Sequence, residues 1–321
     1  MAPAPQSSSY WRELIPFCEV LGPYLDDEGV SEIEANFDGS LFVEKHGETK
    51  RVPHSVRPSE ASMFCKKMAR LRGRDISQSH PLLSLQMPDG SRVSAACPPV
   101  APGWCFTIRR HAKTPWTVAA LTENGTLARE TADQIINAIQ RRNTVLVSGP
   151  TSTGKTSVLS ALAQFIPVDE RIGILEDVAE IQVTHANVFR FEAQANVTIR
   201  DLVKHSLRFT PSRIILGEVR GVEAFDLLQV LNTGHGGSLS TIHANSPLDA
   251  LRRLTSLAMM TDLGITEKFI KESVAQAIQV VVQLEKVGPQ RRVSEVVRVL
   301  GYSALTDEFM LEPMCKKEQQ K

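Results

Sequence analysis

An eight-residue glycine loop at positions 149–156 is the feature that most restricts how this chain can fold. It fits the pattern G-x-x-x-x-G-K-[S/T], in which backbone N–H groups and the start of the next helix surround phosphate groups. The pattern needs a strand before it and a helix after it, and residues 144–148 and 156–165 have the composition of each. The sequence therefore predicts a nucleotide site, with ATP or a close relative as the ligand. Its assigned residues are Gly149, Pro150, Thr151, Ser152, Thr153, Gly154, Lys155, Thr156 and Ser157.

Two residues of this phosphate loop carry specific chemistry. Lys155 places a positive charge on the β- and γ-phosphates, and the Thr156 hydroxyl is a ligand for magnesium. The predicted cofactors are therefore ATP and Mg²⁺. Kinases, GTPases and motors all use such a loop, so residues elsewhere must identify the reaction.

The alternation of strand-like and helical segments after the loop predicts an α/β fold with a mostly parallel sheet. We expect this domain to cover residues 121–321, after a smaller N-terminal α+β domain with a linker at 10–120 and a disordered tail at 1–9. Within these domains the patterns predict a linker at 110–123, a helix at 128–142, a helix at 264–283 and a hairpin at 287–300.

Composition excludes several functional classes. Lysine plus arginine equals aspartate plus glutamate at 36 each, so direct nucleic-acid binding is not indicated. The five cysteines are odd in number and contain no C-x-x-C pair, which argues against a disulfide framework and a zinc ribbon. The first nine residues lack the positive start and apolar run of a secretory signal, and the sequence contains no run of about 18 apolar residues. We therefore expect a soluble, cytoplasmic chain without a transmembrane segment.

Acidic residues at strand ends predict how magnesium and water are held. The strand at 213–218 ends in Gly217 and Glu218, where many phosphate-loop ATPases have aspartate before glutamate. Glu218 is predicted to orient the attacking water. Because Gly217 offers no ligand, Glu176 and Asp177 are predicted to hold Mg²⁺ directly or through water, since carboxylates at strand ends face the nucleotide. Asp177 could instead cap the following helix.

A glycine-rich stretch at 234–245 contains two histidines, His235 and His243. They are eight residues apart with no carboxylate or cysteine between them, which is unlike a metal site. We predict a nucleotide sensor, because a neutral imidazole can donate to a γ-phosphate or hold the attacking water, and glycines let the loop change shape. The alternative for His235 is that it only satisfies backbone groups.

Four motifs in this order resemble the secretion ATPases of type II and type IV systems. They are the phosphate loop, the acidic box at 175–180, the segment at 208–221 and the histidine segment at 234–245. The likeness is greatest to the VirB11 and TrbB branch of conjugation ATPases, followed by the CpaF pilus-assembly ATPases. The resemblance implies a RecA-like ATPase domain in a cytoplasmic homohexamer, peripheral to the inner membrane through secretion or pilus-assembly partners. It also implies ATP hydrolysis that powers conjugative transfer or protein export, or pilus assembly in the alternative.

The resemblance assigns further residues. It implies that Arg92 and Arg109 of the first domain reach the phosphates, with Arg110 as the alternative to Arg109, and that Arg220 contacts the nucleotide. Guanidinium groups match the charge of the γ-phosphoryl oxygens, although ordinary surface ion pairs would also explain the first two arginines.

Two departures from the family pattern and one open alternative remain. Ser152 stands where glycine is usual and adds a Cβ at a tight bend, which suggests slower hydrolysis. Ser212 stands where aspartate usually follows proline, and the absence of a four-cysteine cluster argues against the type II and pilus-extension branch. The alternative to a hydrolytic motor is a nucleotide-gated scaffold with little turnover, against which Glu218 argues.

Overall fold

The computed structural model describes residues 8–45, 47–110, 115–194, 196–261 and 263–314. The chain divides into two compact units, Met1–Lys113 and Thr114–Lys321. Most of the tail predicted at 1–9 lies outside the described residues, but a helix already begins at Ser8. Among the helices of the described residues, none has the length and apolar character that a membrane span requires.

The first unit is built on a six-stranded antiparallel sheet. In chain order its helices and strands are α1 Ser8–Leu14, α2 Gly22–Asp26, β1 Val30–Ala35, β2 Ser40–Lys45, β3 Glu48–Ser55, α3 Pro58–Leu71, β4 Leu82–Gln86, β5 Arg92–Ala96 and β6 Cys105–Arg109. The strand order is β3-β2-β1-β6-β5-β4. Helix α3 buries Phe64 and Met68, four residues apart on one face, in the same core as Ile33 and Ile108 of the central strands.

The second unit contains an eight-stranded sheet. Its elements are α4 Val118–Glu123, α5 Arg129–Gln140, β7 Val145–Ser148, α6 Lys155–Ala163, β8 Ile172–Glu176, β9 Val188–Glu192, α7 Ile199–Ser206, β10 Arg213–Leu216, α8 Glu223–Asn232, β11 Leu239–Ile242, α9 Pro247–Ala258, α10 Glu267–Ala277, β12 Val280–Val287, β13 Gln290–Ser303 and β14 Glu308–Pro313. The strand order is β14-β13-β12-β7-β11-β10-β8-β9. The run from β12 to β9 is parallel, and β13 and β14 extend it antiparallel.

Helices cover both faces of this sheet. Helices α4 to α6 share one apolar cluster and α7 to α10 share the other. Every residue of β7, β8, β10 and β11 is buried, as expected for parallel strands covered on both sides. Because these strands are parallel and in register, their carboxyl ends meet at one edge, which we call the carboxyl edge; the opposite one is the amino edge.

Two predicted elements differ from the structure. The linker predicted at 110–123 contains α4, which Thr117 caps and which buries Val118 and Leu121. The helix predicted at 264–283 ends at Ala277, and β12 follows beside β7. A short buried apolar run has no polar face, so its period does not separate helix from strand.

Candidate nucleotide-binding site

The phosphate loop connects β7 to α6 at the carboxyl edge. Gly154 is the N-cap of α6 and has a left-handed φ of 86°. A Cβ at Gly149 would lie 2.8 Å from the carbonyl oxygen of Leu284 in β12, so only glycine fits there. Thr153 is buried, and its hydroxyl donates to the Pro150 carbonyl at 2.8 Å. The loop is therefore closed on itself and held against the sheet.

Ser152 has a φ of 61°, which lies in the left-handed region. This backbone conformation costs an L-residue roughly 1–2 kcal/mol. The position at which glycine is usual in the family is thus one where the backbone favours glycine.

Lys155 is buried beneath the loop that precedes it. Its Nζ donates to the carbonyl oxygens of Gly149 at 3.0 Å and Pro150 at 2.9 Å. It also lies 3.1 Å from Nδ1 of His243. The ammonium therefore lies within the loop that is predicted to bind phosphate.

A chain of polar contacts runs from Lys155 across the carboxyl edge. Nε2 of His243 lies 3.0 Å from Oε1 of Glu218, whose Oε2 accepts from Arg220 at 2.7 Å. Arg220 also donates to Asp177 at 3.2 Å. The structure thus brings four predicted site residues together with Lys155. They follow β8, β10 and β11 and are Asp177, Glu218, Arg220 and His243.

The protonation of His243 follows from its partners. An ammonium can only donate, so Nδ1 of His243 accepts from Lys155 and the ring proton lies on Nε2, facing Glu218. Burial, and then the charge of Lys155, lowers the pKa of His243 below its ordinary value. The imidazole is therefore neutral at pH 7 and donates to the carboxylate.

The magnesium prediction gains a residue that the sequence interpretation left out. The hydroxyl of Thr156 donates to Oε2 of Glu180 at 3.3 Å. Glu180 is the last residue of the acidic box at 175–180, and its position in that motif could have identified it from the sequence. No group of three or more His, Cys, Asp or Glu side chains placed to hold a metal occurs in the described part of the chain. A hydroxyl, a carboxylate and phosphate oxygens with water fit Mg²⁺, which keeps several waters in such sites.

The carboxylate of Glu176 binds backbone N–H groups at the end of the acidic box. Its buried Oε1 accepts from the N–H groups of Glu180 and Ile181, both at 2.8 Å. Burial raises the pKa of Glu176 above its ordinary value. A Cβ at Gly217 would lie 3.1 Å from Cγ of Glu176, so this side chain occupies the space beside Gly217. These contacts favour a role in positioning Glu180, and direct metal ligation by Glu176 stays a prediction.

The structure places His235 away from the phosphate loop of the same chain, and its contact with nucleotide stays a prediction. Strand β11 lies between the two histidines, so His243 lies at the carboxyl edge and His235 at the amino edge. The His235 carbonyl accepts from Ser238, and its buried Nδ1 has no hydrogen-bond partner among the described residues. Glycine is needed at 237 because its φ is 86° and a Cβ would lie 2.7 Å from Nη1 of Arg213. Packing explains this glycine without any nucleotide-dependent movement.

The arginines predicted from the first unit are placed by its own sheet. Arg92 and Arg109 are directly paired on β5 and β6, so they share one face, and Arg109 is exposed. Arg110 donates to the main-chain carbonyls of Tyr24 and Asp27. Its guanidinium supports the end of α2, which leaves Arg109 as the better candidate of the two for phosphate contact.

Comparisons with known proteins cover both units. The family model described as "Type II/IV secretion system protein" matches residues 21–316. The chain is 34% identical to the conjugal transfer protein TrbB of Rhizobium radiobacter over 282 residues, 87% of this chain and 86% of that protein. It is 31% identical to the type IV secretion system protein PtlH of Bordetella pertussis, over 87% of this chain and 93% of that protein.

A solved structure agrees with these matches. The VirB11 ATPase of the Brucella suis type IV secretion system, in complex with sulphate, is 28% identical with a TM-score of 0.50. The match covers 91% of this chain and 96% of that one. The predicted α/β fold, a RecA-like phosphate-loop ATPase domain with a smaller N-terminal α+β domain, is confirmed.

Proposed function

We propose, since the chain belongs to the type II/IV secretion system protein family, that it hydrolyses ATP with Mg²⁺ to power type IV secretion. The observation that carries the proposal is the chain of contacts from Lys155 through His243 to Glu218. A scaffold that only binds nucleotide needs the loop but not a glutamate linked to the loop's lysine. The names of TrbB and PtlH refer to conjugal transfer and to type IV secretion, and they support conjugative transfer or protein export as the proposed process.

The phosphates are bound by the loop. Lys155 exchanges its carbonyl partners for the β- and γ-phosphates, to which its charge is better matched. Thr156 and Glu180 would hold Mg²⁺, and Asp177 and Glu176 would support the site directly or through water. The metal, when bound, neutralises charge on the phosphate oxygens.

Glu218 orients the attacking water and accepts its proton. Arg220 holds the carboxylate in place and neutralises part of its charge. When Lys155 turns to the phosphates, Nδ1 of His243 is released as an acceptor for the same water, so His243 couples phosphate binding to the position of the water. In line with the family resemblance, Arg92 and Arg109 stabilise the γ-phosphoryl charge in the transition state.

The assembly is proposed on the same basis. The chain works as a homohexamer on the cytoplasmic side of the inner membrane, where membrane components of the secretion system hold it. Sedimentation of the purified chain with and without ATP tests the ring, and a transfer assay in a donor strain that lacks this chain tests the process.

The chemistry is tested by phosphate release from the purified full chain. Glu218→Gln is expected to keep nucleotide affinity and to lower turnover by roughly 100-fold or more, because the water loses its base. Lys155→Ala is expected to lose nucleotide binding. Glu192→Gln, an exposed glutamate at the end of β9, is the matched control and retains full turnover. Normal turnover in Glu218→Gln would overturn the role given to that residue.

A further inference from the structure

The hairpin of β12 and β13 borders the phosphate loop at both of its ends. The Leu284 carbonyl lies 2.8 Å from the position of a Cβ at Gly149, and Cδ of Arg291 lies 3.6 Å from the position of a Cβ at Gly154. Arg291 comes from a strand that begins more than 130 residues after the loop, so no local sequence signal connects the two. A second cationic side chain is thus placed beside the loop that holds Lys155.

The direction of the Arg291 side chain follows from the strand. Val293, two residues further along β13, packs in the apolar cluster that contains α6. Side chains two apart on a strand share a face, so Arg291 points to the face on which α6 begins. Arg292 points to the other face, where it forms an ion pair with Glu285 at 2.6 Å. The two neighbouring arginines therefore have different surroundings.

The connection between α4 and α5 holds the hairpin in this place. The N–H of Val293 donates to the Thr126 carbonyl at 2.7 Å, and the Gln290 side chain lies 3.1 Å from the position of a Cβ at Gly125. Nε of Arg291 is buried. The stem of Arg291 is therefore placed by packing before any ligand arrives, which reduces the entropy that binding must overcome.

The side of the loop on which Arg291 lies indicates which part of the nucleotide it meets. His243, Glu218 and Glu180 follow β11, β10 and β8, which all lie on one side of β7, and the hairpin lies on the other. A γ-phosphate directed toward Glu218 leaves the α-phosphate and the nucleoside on the hairpin side. We propose that Arg291 binds the α-phosphate end of the bound nucleotide, a contact that ATP and ADP share. This inference rests on the proposed nucleotide binding of the loop.

The test is nucleotide affinity of the full chain, measured by calorimetry with a non-hydrolysable ATP analogue and with ADP. Arg291→Ala is expected to weaken both ligands by about tenfold or more, as for loss of a charge-assisted hydrogen bond. Arg291→Gln keeps most of the stem and loses the charge, so its nucleotide affinity should match that of Arg291→Ala. The affinity of Arg291→Lys should lie between that of Arg291→Gln and that of the wild type. Arg292→Ala, the matched control, should change affinity by less than about twofold.

Two results would overturn the inference, and a third would overturn the proposed function on which it rests. Equal affinities in Arg291→Gln and Arg292→Ala would overturn it while leaving the loop's function intact. Weaker binding of the ATP analogue with unchanged ADP binding would also overturn it, because the contact would then be to the γ-phosphate. A wild-type chain that binds neither ligand would overturn the proposed function itself.

Discussion

The two edges of the second sheet both concentrate charge, but they use it differently. At the amino edge, Arg213 is completely buried and donates to both carboxylate oxygens of Glu170, and to the carbonyls of Ile139 and Gly237. At the carboxyl edge, Arg220 is 57% exposed and shared between two carboxylates. The first arrangement has one set of partners that packing fixes. The second consists of contacts that solvent and a ligand can replace.

This difference indicates where charge serves the fold and where it serves binding. A buried charge with every partner in place is costly to disturb, whereas exposed pairs contribute little to stability. A binding site benefits from the second kind, because its groups must exchange partners when the ligand arrives. Three sets of variants test this difference between the two edges.

The largest effect is expected from removing the arginine at each edge. Arg213→Ala should lower the free energy of unfolding by about 3–5 kcal/mol, because it leaves two buried carbonyls and a carboxylate with lost partners. Arg220→Ala should lower it by less than about 1 kcal/mol and reduce phosphate release instead. Urea denaturation of both variants measures this. Equal losses of stability would show that the two edges do not differ as described.

An intermediate effect is expected in acid. Hydrogen bonds from Arg213 lower the pKa of Glu170 below its ordinary value of 4.5. Since the pKa is lower in the folded state than in the unfolded state, the stability from this pair is present above pH 4.5 and is lost as the pH falls through the folded value. The stability difference between the wild type and Glu170→Gln should therefore shrink below pH 4.5 in urea denaturation. A difference that stays constant from pH 7 to pH 3 would contradict the assignment.

The smallest effect concerns backbone strain, which occurs at both edges. Ser152 in the phosphate loop and Arg142 at the amino edge both have a φ of 61°. Ser152→Gly should stabilise the chain by about 0.5 kcal/mol, since relief of strain exceeds the added freedom of the unfolded chain. Arg142→Gly relieves the same strain but loses contacts with Glu170 and the Ser212 carbonyl, so it should destabilise. Thermal unfolding of both variants measures the sign of each change.

Much of the carboxyl edge could be predicted from the sequence. Glu218 follows a short apolar run, and parallel strands place their carboxyl ends together whatever the loops between them do. Strands β7, β8 and β10 were visible because they are rich in apolar residues, whereas β11, with Ser240 and Thr241, was taken for part of a glycine-rich loop. These predictions depended on local composition alone.

The residues that sequence reasoning missed depend on distant contacts. Arg291 reaches the loop only because β12 pairs with β7, and β12 was read as the end of a helix. His235 was grouped with His243 because both lie in one glycine-rich stretch, although four extended residues place them at opposite edges. Proximity in sequence is thus a poor guide to proximity in a sheet.

The close fit between Gly217 and Glu176 links two positions that are 41 residues apart in sequence. An aspartate at 217, the residue usual in other phosphate-loop ATPases, would place its Cβ 3.1 Å from Cγ of Glu176. A chain with that aspartate would need the Glu176 side chain, which anchors the loop that ends at Glu180, to move by a few tenths of an ångström. Positions 176 and 217 are therefore expected to change together among relatives, and a library designed at one of them should vary the other.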